Sequence, residues 1–305
     1  MSILVLGSVN IDETFCVDHI VKEGETIASL SISKSEGGKG ANQAAALAKA
    51  GEKVFFSGKL GVDGLYILEK LRSYSVDISR SLVDQYTATG RAIIQIDKNG
   101  QNSIILSPGG NKQFTFQELT MVFLPFTAGD VLVLQNEINL VPEIIEKAKN
   151  MGMIICLNPS PFDPSVLSWP LDLVDYFFIN EIEASQMLCK EKTEETDIAF
   201  RENLNELAIK FPKATIVMTV GKKGAYCKDG EGIHYAPIVD YPVVDTTGAG
   251  DTFCGYFLSS YLKNKDAQLA LNIASVASGL AVSIRGAMSA IPTKREVDAA
   301  LLDLK

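Results

Sequence analysis

Short, unbroken apolar runs alternate with segments of helical spacing along most of this 305-residue chain, and that rhythm leaves few folds open. Residues 2–7 (SILVLG) read as a buried strand, and the Ala-rich stretch 40–50 (GANQAAALAKA) reads as a helix that Gly51 ends. Further strands are expected at 54–57, 131–135, 153–157, 176–179 and 216–220, and further helices at 141–151, 249–262 and 267–284. A strand that faces water on one side alternates apolar with polar residues, whereas a continuously apolar strand is covered on both faces. Strands of the second kind interleaved with helices predict an α/β fold with a mostly parallel sheet.

Two regions break the rhythm. Residues 14–35 and 88–107 carry alternating, β-branched stretches such as RAIIQID at 91–97, and the KNGQ turn before 103–106 signals a hairpin. Neither region has enough apolar residues for a core of its own. Both are read as a small β-sheet lid on a single domain spanning 1–305.

The formal net charge of −9 argues against a nucleic-acid surface, which needs a basic stripe to displace counterions. No stretch approaches the ~20 apolar residues of a membrane helix. The start, MSILVLGSVNIDE, shows no basic leader or cleavage site, so a cytoplasmic protein without a membrane partner is expected. The five cysteines, Cys16, Cys156, Cys189, Cys227 and Cys254, are odd in number and contain no CxxC pair. They are expected to be buried or partly buried thiols in a reducing compartment, not zinc ligands or a disulfide framework. With only His19 and His234, chemistry based on histidine is disfavoured.

The richest motif is DTTGAGDTFCG at 245–255. Its glycines allow a tight turn that aims several N–H groups one way, and the helix that follows adds partial positive charge at the same spot. This is a place for an anion, yet Asp251 stands at its edge. A carboxylate there makes sense when a substrate hydroxyl lies between them, losing its proton to Asp251 while the amides hold phosphoryl charge. The competing reading makes Asp251 a helix N-cap. EGGKGAN at 36–42 opens the Ala-rich helix with paired glycines, Lys39 and Asn42, which suits close approach to a ligand or, equally, a flexible turn with a solvated lysine. GSVNID at 7–12 follows the first strand, where ligands of open α/β sheets bind, and its alternation points Asn10 and Asp12 to one side, toward a polyol. A Walker A loop, GxSxG and HExxH are absent, and Phe253 occupies the third glycine position of a GxGxxG fingerprint.

Taken together, GGKGANQ at 37–43 and DTTGAGDTF at 245–253, with NPSP at 158–161, NEIE at 180–183 and TVGKKG at 219–224 between them, resemble the ribokinase-like (pfkB) carbohydrate kinases nearly end to end. That resemblance implies an αβα sandwich whose β-lid covers the sugar and forms a homodimer contact. It implies ATP and a small-molecule sugar as ligands, with Asp251 as the base for the sugar's primary hydroxyl. Gly248 and the amides of Ala249, Gly250 and Asp251 would form the anion hole. By the same resemblance, Asn10, Asp12, Gly38, Lys39, Asn42 and Glu137 contact ribose. Asn180, Thr219, Gly221, Gly224, Gly250 and Ser275 hold nucleotide, and Glu183 organises Mg2+ through water. Asp245, Thr247, Ala281, Ile284, Gly286 and Ala290 match a loop that binds K+.

Plainer roles stay open for two of these residues: Glu183 as a solvated carboxylate in the EIEAS turn, and Glu137 as a polar strand end. Asp12, Glu137 and Asp251 would together place three carboxylates around the sugar, which suits a neutral polyol and repels a phosphorylated one. Ribose is the expected substrate; 2-deoxyribose, a hexose or a nucleoside is the neighbouring choice. Two other classes compete: a nicotinamide-dependent oxidoreductase, weakened by the broken fingerprint, and a non-catalytic sugar or nucleotide sensor.

Overall fold

A computed structural model describes residues 1–191 and 194–303. In chain order the strands begin with β1 (Ile3–Leu6), β2 (Asn10–Cys16), β3 (Ser31–Gly37), β4 (Val54–Ser57), β5 (Lys59–Gly61), β6 (Leu82–Asp84) and β7 (Gly90–Ile96). They continue with β8 (Asn102–Ser107), β9 (Val131–Gln135), β10 (Ile154–Asn158), β11 (Tyr176–Asn180), β12 (Thr215–Thr219), β13 (Ala225–Lys228) and β14 (Ile233–Ala236). The helices are α1 (Lys39–Lys49), α2 (Leu65–Ser73), α3 (Phe116–Phe123), α4 (Val141–Asn150) and α5 (Glu181–Met187), then α6 (Asp197–Lys210), α7 (Ala249–Asn264), α8 (Ala267–Val282) and α9 (Lys294–Asp303).

An eight-stranded sheet runs β14-β13-β12-β11-β10-β9-β1-β4. Its strands are parallel from β4 to β12, and β13 and β14 close the far edge antiparallel. The apolar runs explain the layers. Successive side chains of a strand point to opposite faces, so Ile3 and Val5 enter one core while Leu4 and Leu6 enter the other. Val131 and Val133 divide from Leu132 and Leu134 in the same way. Leu47 of α1, Phe257 of α7 and Leu271 of α8 pack in the first core, and Phe123 of α3, Ile144 of α4 and Leu204 of α6 in the second. The result is the expected αβα sandwich. Gly51 follows α1 at φ 95 and donates its N–H to Ala48 O, as its place in the sequence required.

The lid is a four-stranded sheet in the order β3-β2-β7-β8. It starts at Asn10, earlier than the expected 14, because Asn10 already pairs with Gly37 and Gly90. The lid strand therefore begins inside GSVNID, and Asn10 and Asp12 are lid residues, not the end of β1. Ile32 of β3 and Ile104, Ile105 and Leu106 of β8 leave a large apolar area exposed on the lid. Sequence periodicity did not mark α2, α3, α5, α6, α9, the antiparallel edge, or the two-stranded β5-β6 sheet. Cys189 is exposed, against the expectation for the cysteines, while Cys156, Cys227 and Cys254 are buried and all five are free thiols. Among the described residues no helix is long and apolar enough to cross a membrane.

Helices α1 and α7 cross closely because α7 presents Gly255 at the contact. A Cβ there would lie 2.5 Å from Ala46 Cβ and 2.9 Å from the Leu47 backbone nitrogen. Backbone cannot yield as a flexible side chain does, so Gly255→Ala must push the two helices apart. We expect a loss of about 1–3 kcal/mol, the usual cost of overpacking, read as a lowered Tm. An unchanged Tm would mean that the crossing is looser than these contacts require.

Candidate active site

The candidate side chains gather at the C-terminal edge of the parallel strands, where α1 and α7 begin. Helix α7 is capped by Gly248, which adopts the left-handed conformation (φ 74, ψ 3) that a residue with a side chain avoids. Asp251 therefore sits in the first turn and is not the N-cap. The residue is only 7% exposed, and its carboxylate is held from across the site. Asn42 Nδ2 donates to Oδ2 at 3.0 Å, and Gln43 Nε2 donates to Oδ1 at 2.9 Å. Gln43 is held in turn by Gln135 at the end of β9, whose Nε2 donates to Gln43 Oε1 at 2.7 Å. Burial pushes the Asp251 carboxyl above its ordinary range, Glu137 adds to the shift, and Lys39 and the two amides oppose it. The outcome is a more basic carboxylate in a dry setting.

The amides of α7 are divided in their use. The Ala249 N–H already donates to Thr246 O at 3.2 Å, closing the turn. Gly250 and Asp251 occupy the next first-turn positions, whose N–H groups have no partner within a helix. A Cβ on Gly250 would meet nothing within 4 Å, so this residue borders open space. The first-turn amides left for a ligand are thus those of Gly250 and Asp251 more than that of Ala249.

On the lid side, Asn10 is oriented by Asn111, whose Nδ2 donates to Asn10 Oδ1 at 2.7 Å. The carboxylate of Asp12 lies over Gly37, where any Cβ would strike it. Burial, with Glu137 nearby, raises Asp12 to about 7. The expectation of three permanent negative charges around the sugar is corrected accordingly, because Asp12 is partly protonated near neutrality. Glu137 accepts from the Lys39 N–H at 3.0 Å and from the Ser8 hydroxyl, so it caps the start of α1. The glycines of GGKGAN serve backbone packing. Gly38 takes φ 94 against Ser8 and Val9, and a Cβ on Gly40 would lie 2.6 Å from Gly7 C and Ser8 N. Burial pulls the Lys39 ammonium down, but Asp251, Glu137 and Glu183 outweigh it and hold it above its ordinary value. Among the described residues, buried Asn42 Oδ1 has no hydrogen-bond partner.

A cavity of about 240 Å³ adjoins Asp251. Lys39, Asn180, Glu183, Thr219, Gly248 and Gly250 line it, and Asn158 and Ser160 of the NPSP stretch form part of the wall. Asn180 and Glu183 cap α5 reciprocally: Asn180 Oδ1 accepts from the Glu183 N–H at 2.8 Å, and Glu183 Oε2 accepts from the Asn180 N–H at 2.9 Å. The EIEAS segment is thus a helix, and Glu183 serves as both cap and cavity wall. Gly221, Gly224 and Ser275 stand outside this wall. Gly221 is exposed, Gly224 is pressed against Ala236 O, and Ser275 is buried on α8.

Asp245 links two loops. It accepts from the Thr247 N–H at 3.0 Å and hydroxyl at 2.7 Å, and from the Gly286 N–H at 2.9 Å. These donors and the Arg285 charge hold its carboxyl below the usual range despite partial burial. Helix α8 ends at Val282 with Ala281 in its last turn, so Ile284, Gly286 and Ala290 lie in the segment that follows. Ala290 offers no side-chain oxygen. Ala287 of the same segment packs against Gly248, which couples this loop to the start of α7.

Sequence reasoning gave no role to Ser8, Gln43, Asn111 or Gln135, although Ser8 and Gln43 lie inside the quoted motifs. Their partners are more than thirty positions away in the chain, so only the fold reveals what they hold.

A buried carboxylate beside a helix N-terminus, with a polar cluster on one side and a cleft on the other, is the arrangement of a phosphotransferase acting on an alcohol. The pattern of the pfkB family carbohydrate kinases matches residues 1–294, and the chain belongs to that family. The ribokinase of Staphylococcus aureus (strain COL) is 33% identical over 308 residues, covering 97% of this chain and 98% of its own. The ribokinase of Cryptococcus neoformans var. grubii serotype A, solved with ADP, superposes with a TM-score of 0.88 at 35% identity, covering 98% of both chains. Arabidopsis thaliana ribokinase, solved with ribose and ATP, superposes at 0.84 with 28% identity, again covering 98% of both.

The raised Asp12 carboxyl carries a stability consequence. The folded protein keeps a proton that the unfolded chain releases from about pH 4, so stability falls as pH rises toward about 7. Asp12→Asn removes that cost. We expect its Tm to exceed that of the unsubstituted protein at pH 8, with the gap closing toward pH 4. A gap independent of pH would show that Asp12 is not titrating in this range.

Proposed function

We propose that the protein transfers the γ-phosphoryl group of ATP to the primary hydroxyl of D-ribose, giving D-ribose 5-phosphate. The observation that carries this reading is the placement of Asp251, clamped by Asn42 and Gln43 at the head of α7 between the sugar-side cluster and the cleft. The relatives solved with ADP and with ribose and ATP support it. Residues 1–305 act as one kinase unit with its lid.

Ribose lies under the lid, where Asp12 and Glu137 accept its hydroxyls, and Asn10 and Asn42 supply further polar contacts. Asp251 takes the proton of the primary hydroxyl as the oxygen attacks. The amides of Gly250 and Asp251, aligned with the helix dipole, and the Lys39 ammonium meet the charge that develops on the phosphoryl group. Asn180 and Thr219 border the nucleotide, with Gly221, Gly224 and Ser275 further out along its path.

The free oxygen of Glu183 in the cleft wall suits water-mediated binding of Mg2+, which neutralises phosphate charge when bound with the nucleotide. Asp245 and the carbonyls around Ala281, Ile284, Gly286 and Ala290 suit a K+ ion, which through the Ala287–Gly248 contact would steady the anion hole. The exposed apolar side chains of the lid, Ile32, Ile104 and Leu106 among them, form a homodimer contact; sedimentation at micromolar concentration reads this directly, and a monomer there removes it.

Asp251→Asn should keep the fold and lose about 10²–10⁴-fold in kcat, with sugar KM changing far less. More than a tenth of the original kcat would remove Asp251 as base. Because Glu137 and Asp251 repel an added phosphate, kcat/KM should favour ribose over fructose 6-phosphate, and the reverse preference would overturn the assignment.

Potassium should raise activity above that in sodium or in no monovalent ion. A response flat from zero to saturating potassium, in cation-exchanged protein, would leave the Asp245 loop with a purely structural role.

A further inference from the structure

Gln43 and Gln135 are fully buried, and the reading above uses neither of them on sugar or nucleotide. Their hydrogen bonds have a forced direction. An ionised carboxylate only accepts, so Gln43 must turn its N–H toward Asp251 and its oxygen toward Gln135, which must then present its own N–H. The consequence appears at the far end, where Gln135 Oε1 is buried with no hydrogen-bond partner among the described residues. It lies against Gly7, whose missing side chain leaves the room: a Cβ there would fall 2.0 Å from that oxygen. A buried oxygen left unpaired is costly. The reversed chain would fill the same volume and pair that oxygen with Gln43, so the negative charge on Asp251 is what holds the chain in this direction.

We propose that Gln135 and Gln43 form a one-way hydrogen-bond relay that fixes the Asp251 carboxylate in its reacting orientation and sets how readily it takes the substrate proton. Both are positioning residues, and the inference rests on Asp251 being the base. The charged and titratable groups facing Asp251 are Lys39 on α1, Glu137 beyond β9 and Cys254 on its own helix, with Glu183 of α5 facing Lys39. Lys39 favours the ionised form and Glu137 opposes it, so the two amide donors weigh heavily in the balance. Gln43 is the donor whose own orientation is fixed by a third residue.

The test compares kcat–pH profiles, with the neutral sugar the protein turns over, for the unsubstituted protein, Gln43→Met, Gln135→Met and Asp251→Asn, alongside Tm from pH 5 to 8. Losing one charge-assisted hydrogen bond should lower kcat of Gln43→Met about tenfold or more and move its acidic limb upward. Sugar KM should stay within about threefold, since neither glutamine touches sugar. Its Tm should also fall more steeply with rising pH than that of the unsubstituted protein, and adding Asp251→Asn should abolish the extra slope.

Gln135→Met keeps the volume without a donor, so it carries the test even if Gln43→Met does not fold. It removes the N–H that holds the Gln43 oxygen and leaves Gln43 free to turn away from Asp251, which should also move the acidic limb upward. A folded Gln135→Met variant with unaltered kcat and limb overturns the relay, as does a uniform loss of Tm with the limb unmoved. If Asp251→Asn is inactive in those cases, the relay alone falls; if it stays active, the base assignment falls with it.

Discussion

The close passage of backbone past backbone at the head of α1 is the constraint on which the rest of the site depends. Gly40 lies against Gly7 and Ser8, so the first turn of α1 rests directly on the segment that leaves β1. Gly255 lets α7 approach the other side of the same helix. Helix α1 is thereby wedged between β1 and α7, and it delivers Asn42 and Gln43 to Asp251 while its first amide meets Glu137. Any side chain at these glycines would separate groups that must lie within hydrogen-bond distance.

Concentrating Asp251, Glu137, Glu183 and Lys39 in one partly dry region is costly to an empty protein, because burial disfavours each charge. The arrangement offsets that cost locally. Glu137 takes a backbone amide and a serine hydroxyl, Glu183 takes the amide of Asn180, and Lys39 sits amid all three carboxylates. Burial, with Glu137 nearby, leaves Asp12 holding its proton to about 7. Under the proposed function a neutral polyhydroxyl ligand would supply donors to this cluster, and its recognition by Asp12 would relieve the cost of burying that carboxyl.

Much of this molecule was legible beforehand. Continuous apolar runs announced strands covered on both faces, since no other environment accommodates them, and Gly51 marked a helix end that only a left-handed residue closes well. The DTTGAGD and GGKGAN motifs located the Asp251 carboxylate and its neighbours because their chemistry is local: a turn, a helix start, a carboxylate. The lid boundary was misplaced because NID is compatible with both the end of one strand and the start of the next. Pairing of Asn10 with Gly37 and Gly90, remote in the chain, decides between them.

The amino-acid sequence by itself determined the layered α/β architecture and the kind of group placed at the head of α7, for those follow from periodicity and short-range turn chemistry. Only the tertiary structure decided what Asp251 does with its two oxygens. Its partners come from α1, about two hundred positions earlier, and theirs from β9. It also decided that Asp12 holds its proton to about 7, since burial and the distance to Glu137 exist only once lid and sheet are joined. Proton affinity is a property of surroundings, and the surroundings of these carboxylates are assembled from segments that are distant in the chain.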